Sequence, residues 1–338
     1  MARYAIWGLA ALIGLSALCG CGGGGGGTSG QKASAKGYLA FASNSSGTYE
    51  IKLMKSDGSG TAILTDALNS DAPRTSLSPV LSDNHRWVAF DSTISGMFSI
   101  YVVRDDATGM TQVTNLSGID DDECPAWSPD GTKIAFIRID ETGGSALYCM
   151  DVSDLANASE PQYVADAEGG ANVCWMGSNQ IAFTSSDGGI DNIYSVTVPT
   201  DLAQLNNPQK QQLTAFTNLN YTIDGLSWAN HKFVLGYSSP SAKGQLYVIS
   251  DTSHATTLTT PLANDAMNKY DDIGPCWSAN GDKVFYFSSN PDTSPVSENT
   301  NYSIFSYTMS DSSVKRLTTN LGTNDVYPSS RHHKPVVH

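Results

Sequence analysis

Three aspartates recur in one local pattern: Asp122, Asp272 and Asp325 each stand three residues before a proline, Pro125, Pro275 and Pro328. Carboxylates gathered from separate stretches of chain can hold a cation, calcium being the one suited to oxygen ligands, or can receive a basic peptide. Asp120, Asp121 and Glu123 add charge beside the first, and Asp271 beside the second. The competing reading is local, because Asp commonly accepts hydrogen bonds from backbone amides of its own turn. For any single one of the three the local role is the stronger reading; as a collective acidic rim the two readings stand level. No other cofactor is expected.

Further chemistry is sparse. Neither Gly-x-Ser-x-Gly nor His-Glu-x-x-His occurs, and the one glycine-rich run, Gly22 to Gly27, follows no strand. The six histidines (His85, His231, His254, His332, His333 and His338) are scattered. The expectation is therefore that the chain is not an enzyme. Cys124, Cys149, Cys174 and Cys276 lack any Cys-x-x-Cys spacing, which disfavours zinc. Buried thiols are expected for all four, with Cys124 and Cys174 the only pair to consider for a disulfide.

Near the start, Arg3 precedes an apolar run from Ala5 to Leu18, shorter than the about 20 residues a bilayer span needs. Leu18-Cys19-Gly20-Cys21 closes it and resembles the bacterial lipobox, which implies acylation of Cys21 and a signal peptide over residues 1–20. Cys19 fits less well, since Leu18 would sit where a small side chain is required. The alternative is an ordinary secretory leader cut near Gly20. Residues 21–36 then form the acylated cysteine and a glycine-rich tether. Gly22 in place of aspartate resembles the outer-membrane address of Gram-negative lipoproteins.

Acids outnumber Lys and Arg by 33 to 19, a net charge of −14. No basic cluster exists to grip phosphates, so nucleic acid is excluded as a partner, and an acidic face favours a basic partner or a cation.

These residues need a scaffold, and an internal repeat supplies it. Asp122-Glu123-Cys124-Pro125-Ala126-Trp127-Ser128-Pro129-Asp130-Gly131, running on to Lys133-Ile134-Ala135-Phe136, matches Asp272-Ile273-Gly274-Pro275-Cys276-Trp277-Ser278-Ala279-Asn280-Gly281, running on to Lys283-Val284-Phe285-Tyr286. Phe41, Phe90, Phe136, Phe183, Tyr237 and Tyr286 end six such apolar strands at intervals of 46 to 54 residues. Each copy continues through an Ile- or Leu-aromatic strand to a short Thr-rich one, such as Ile63-Leu64-Thr65 or Arg316-Leu317-Thr318. Four strands per copy, repeated six times, predict an all-β, six-bladed β-propeller over residues 37–330, with a tail over 331–338. Blade one lacks its opening strand, and Asp325-Val326-Tyr327-Pro328-Ser329-Ser330 would complete it and close the ring. Trp127, Trp175, Trp228 and Trp277 are expected to pack between blades.

The Pro125-Ala126-Trp127-Ser128-Pro129-Asp130-Gly131 segment with Lys133-Ile134-Ala135-Phe136 and a later Leu-Thr resembles the repeat of the TolB propeller family, over nearly all of residues 38–330. The resemblance implies a periplasmic propeller whose channel mouth binds partner proteins; TolB itself engages Pal and Tol components. Family members carry an additional N-terminal α/β domain where this chain has a glycine tether. Oligogalacturonate lyases use a related propeller with clustered histidines holding a metal, and no such cluster is visible here. Prolyl-peptidase propellers have an attached hydrolase domain, for which no length remains. The expected role is a monomeric, lipid-anchored scaffold that binds an envelope protein or peptide. A carbohydrate-binding or carbohydrate-degrading propeller is the alternative, and a purely structural propeller the third reading.

Overall fold

A computed structural model of the protein describes residues 37–65, 74–83, 87–114, 120–219, 221–251, 254–258, 261–262, 270–289, 301–319 and 322–331. The expected signal peptide, Cys21 and tether, with residues 332–338, lie outside them. Six antiparallel sheets are present, one per repeat. Blade two runs Ser76–Leu81, Trp87–Ser92, Ser99–Arg104 and Thr111–Gln112, and blade three Asp121–Trp127, Lys133–Ile139, Ser145–Asp151 and Gln162–Asp166. Blade four comprises Val173–Trp175, Gln180–Ser185, Asn192–Thr197 and Gln211–Gln212. Blade six comprises Asp272–Trp277, Lys283–Ser288, Ser303–Thr308 and Val314–Arg316. Blade five has three strands among the described residues, Thr222–Ala229, Lys232–Ser239 and Ala242–Ser250. Its expected fourth, Thr257-Leu258-Thr259, is not a strand over its described part.

Blade one is assembled from both ends of the fold. Asp325–Arg331 pairs antiparallel with Tyr38–Ser43, which pairs with Glu50–Lys55, and that with Ala62–Ile63. The first strands of successive blades contact one another around an unbroken circuit that returns from Asp325–Arg331 to Ser76–Leu81. They are therefore the inner wall. Closure leaves only short inner edges that the neighbouring blades protect.

Hydrogen bonds stitch all six seams. Ser329 Oγ accepts from the Leu81 amide at 3.2 Å, Asp91 Oδ2 from the Cys124 amide at 3.0 Å, and the Ala126 carbonyl from Trp175 Nε1 at 3.1 Å. Asn172 Nδ2 donates to the Ile223 carbonyl at 2.9 Å, the Trp277 amide to Ser227 Oγ at 3.1 Å, and Ser330 Oγ to the Trp277 carbonyl at 2.7 Å. Apolar clusters likewise cross the seams: one joins blades two to four around Phe136 and Trp175, another joins blades six, one and two around Phe41 and Phe90. Trp127, Trp175 and Trp277 are buried in these layers as expected, while Trp228 is half-buried and donates to Asp251. The core is thus the set of blade interfaces. Cys124, Cys149, Cys174 and Cys276 are all buried, and none forms a disulfide.

The Leu-Thr pairs sit just past the outer strands, not within them, because their hydroxyls have another task. Thr65, Thr114, Thr214 and Thr318 Oγ1 accept the amides of Ile51, Ile100, Ile193 and Ile304 at 2.8–3.0 Å. In blade five the position of the strand-ending aromatic belongs to Leu235, which faces Tyr247 as Phe136 faces Tyr148; Tyr237 lies two residues further on.

Candidate functional site: an acidic channel mouth

The inner strands are bent by a β-bulge in five of the six blades. A bulge adds a residue to one strand and re-aims the side chains around it. Each of these five places one residue in the left-handed region: Ser78, Cys124, Gly225, Gly274 and Tyr327. Glycine adopts that conformation without penalty, and at position 225 it is also needed for space. A Cβ there would stand 2.8 Å from Gly274 Cα, so blades five and six approach backbone to backbone. Blade four lacks both the aspartate and the proline, and its short inner strand has no bulge.

The bulge sorts the acids. Asp122 and Asp325, two residues ahead of the left-handed position, turn into the seams and are fully buried. Asp122 meets Arg138 in a bidentate pair, Nε to Oδ1 at 2.7 Å and Nη2 to Oδ2 at 2.9 Å, and also receives the Thr114 hydroxyl of blade two. Burial pushes its carboxyl up while the guanidinium pulls it down; the fork geometry marks the pair as ionised. Asp325 lies beside the hydroxyls of Ser43 and of Thr318 in blade six, with Lys52 and Arg316 adding positive potential. Asp272 is half-buried. The structure therefore does not gather the three into one open ring: Asp122 and Asp325 are buried inside the wall, and Asp122 is tied there by Arg138 and Thr114.

The residue before each of these is a second clasp. Asp121 Oδ1 accepts the Phe98 amide of blade two at 2.8 Å, and Asn324 Oδ1 the Tyr302 amide of blade six at 2.8 Å. Asp271 Oδ1 accepts the Gly244 amide of blade five at 3.0 Å and pairs with Lys243. Other acids serve hairpin turns: Asp57, Asp106, Asp130, Asp140 and Asp311 each accept the amide two residues on. Much of the chain's acidity is thus architectural.

What remains is a layer one residue further along. The residues immediately before the left-handed positions are Val326, Leu77, Glu123, Asp224 and Ile273. Three are aliphatic and two are acids. Burial pushes Glu123 up to about 8, with the charges of Asp91 and Asp121 adding to the rise. Asp91, on the second strand of blade two, is fully buried and raised to about 6 by burial, against hydrogen bonds from the Cys124 amide and the Ser78 side chain. Asp224 rises to about 6, again through burial, against the Ser238 hydroxyl and with Asp191 and Asp271 nearby. Strongly displaced carboxyls cluster at functional sites, and buried structural networks displace them as well. Glu123 appeared in the sequence only as local charge, and Asp91 and Asp224 carried no motif. Aligning the residue before the bulge across the copies would have exposed Glu123 and Asp224 as departures from an aliphatic position.

Among the described residues no group of three or more His, Cys, Asp or Glu side chains is arranged to hold a metal. The chemistry on offer is proton exchange and the acceptance of hydrogen bonds from cationic groups.

The family model described as the TolB beta propeller domain matches residues 27–297. Among solved structures, TolB from Acinetobacter baumannii superposes with a TM-score of 0.64 at 17% identity, covering 87% of this chain and 66% of that one. A putative TolB from Agrobacterium tumefaciens gives 0.55 at 16% identity, covering 85% and 90%. A puromycin-hydrolyzing peptidase from Mycobacterium tuberculosis gives 0.53 at 15% identity, covering 85% of this chain and 45% of that one. The last corrects the expectation that the chain is not an enzyme. The same fold occurs inside a peptidase, so neither the architecture nor the missing linear motifs excludes catalysis. At these identities the likeness to solved structures shows the fold alone.

Proposed function

The chain belongs to the TolB β-propeller family, and from that premise we propose that it is a cell-envelope scaffold whose acidic channel mouth captures a protein or peptide through a basic segment. The observation that carries this reading is the pair of acids, Glu123 and Asp224, in a layer that the other bulged blades fill with Val326, Leu77 and Ile273. A carboxyl in an aliphatic layer costs folding free energy, and a cationic partner would recover it by ionising the group beside an opposite charge. Asp272, half-buried on the same inner strands, belongs to this acidic rim in the proposal.

The proposed setting is periplasmic. Acylated Cys21 and the tether over residues 21–36 would hold a monomeric propeller at the outer membrane, with residues 1–20 removed as the signal peptide. Among the described residues no helix is long and apolar enough to cross a membrane, and attachment in this reading runs through the lipid.

Crosslinking in intact cells, followed by mass spectrometry, tests the reading. The expected result is one dominant protein partner, joined through its basic residues to the channel mouth and diminished at least tenfold in a Glu123→Gln, Asp224→Asn double variant. Recovery of the same partners by that variant would refute capture at this mouth. For the anchor, Cys21→Ala should move the protein from the membrane to the soluble fraction; an unchanged distribution would remove lipidation from the proposal.

A further inference from the structure

The seam between blades two and three carries two departures from the repeat that face each other. Glu123 stands in the aliphatic layer described above. Asp91 occupies the second-strand position that holds Ala42, Ile137 and Phe287 in blades one, three and six, as the pairings Leu77–Asp91, Val326–Ala42, Glu123–Ile137 and Ile273–Phe287 show. Apolar packing alone asks for neither acid. Asp91 is held in place by the Cys124 amide and the Ser78 side chain. Among the described residues none donates a hydrogen bond to the Glu123 carboxyl, which its neighbours largely enclose while leaving it in reach of solvent.

We propose that this seam is a socket for a primary ammonium group, a lysine side chain or a free amino terminus, with Glu123 and Asp91 as its acceptors. The proposal rests on the reading of the channel mouth as a partner-binding surface and names the group that the surface takes. The charged groups around the socket support it. From blade two there is Asp91. From blade three there are Asp121, whose Oδ1 is committed to the Phe98 amide, and Asp122, whose charge Arg138 balances. The charges that act on Glu123, those of Asp91 and Asp121, are both negative. An ammonium group offers three donors from one compact centre, whereas a guanidinium needs a wide planar face. A divalent ion lacks a ligand set among the described residues.

Glu123, pushed up to about 8, holds its proton at neutral pH. Ammonium binding must therefore release that proton to the buffer as the carboxylate forms. The proton count separates this socket from a generally acidic surface.

The experiment is calorimetry on the full chain in detergent at pH 7.5, in two buffers of different ionisation enthalpy. The probes are acetyl-Gly-Lys-Gly-amide, Gly-Gly-Gly-amide with a free amino terminus, acetyl-Gly-Arg-Gly-amide, and calcium chloride alone. One or both amine peptides should bind saturably with release of up to one proton; which of the two binds distinguishes a side chain from a terminus. Glu123→Gln should weaken that binding at least tenfold and abolish the proton release. Glu123→Leu, which restores the aliphatic layer, should bind no amine and melt no lower than the unaltered protein. Binding unchanged in Glu123→Gln, no binding of either amine, preference for the arginine peptide, or binding of calcium instead would each overturn the socket. Crosslinked partners that survive Glu123→Gln would sink the socket and leave the scaffold standing. Amine binding without any cellular partner would do the reverse.

Discussion

The guanidinium of Arg138 grips both carboxylate oxygens of Asp122 across neighbouring strands of blade three, at 2.7 and 2.9 Å, with Asp122 fully buried and also holding the Thr114 hydroxyl of blade two. This contact assigns the recurring aspartate of blade three to the architecture of the ring. In the proposed function the partner-facing chemistry passes to Glu123, its neighbour in sequence.

The pair should behave as a unit. Removing one member of a buried ion pair strands the other, at about 3 kcal/mol or more. Asp122→Ala and Arg138→Ala are each expected to lower unfolding free energy by about that much in urea titrations. The double variant should lose less than their sum, with a coupling of roughly 1–3 kcal/mol. Strict additivity would show that the two side chains do not act together.

Ring closure is open to a truncation test. Deleting residues 325–338 strips blade one of its inner strand and removes Ser329 and Ser330, which stitch it to blades two and six. The expected product is a chain that aggregates and lacks a cooperative thermal transition by circular dichroism. A truncated monomer melting within a few degrees of the intact protein would rule out closure by this strand.

Gly225 and Gly47 form a matched pair. Both have left-handed backbones, with φ of 110° and 102°, but a Cβ at 225 would collide with Gly274 and Pro275 while a Cβ at 47 meets nothing within 4 Å. Gly47→Ala should cost only the conformational penalty, about 1 kcal/mol. Gly225→Ala should add a backbone clash, bringing the loss to about 3 kcal/mol or more. Equal melting temperatures for the two variants would mean that blades five and six are not in close contact.

Stability should depend on pH through Glu123. Its ordinary value of 4.5 is raised to about 8 in the folded protein. Between those values the folded state keeps a proton that the unfolded chain has lost, so stability falls as pH rises through that window. Glu123→Gln removes this slope. The variant should match the unaltered protein near pH 4 and exceed it near pH 8, by on the order of 4 kcal/mol. A difference independent of pH would place Glu123 in ordinary solvent.

The sequence by itself determined the number of blades, their three inner strands and the closure. A repeat unit cannot bury its faces alone, so six copies of the apolar strand, three of them opened by Asp-x-x-Pro, leave little choice but a ring. Pro328 and Asp325 in the last segment identified the piece missing from the first blade. What the tertiary structure decided is which acids tie seams together and which stand in the aliphatic layer. Whether Asp122 or Glu123 turns inward depends on a bulge of one residue, and a one-residue shift exchanges the faces of a strand. The approach of Asp91 to Glu123 joins strands from different blades, and spacing along the chain does not encode it. Short-range pattern fixes strands and turns because hydrogen bonding and burial act locally; the environment of a carboxyl is set by whatever the fold brings beside it.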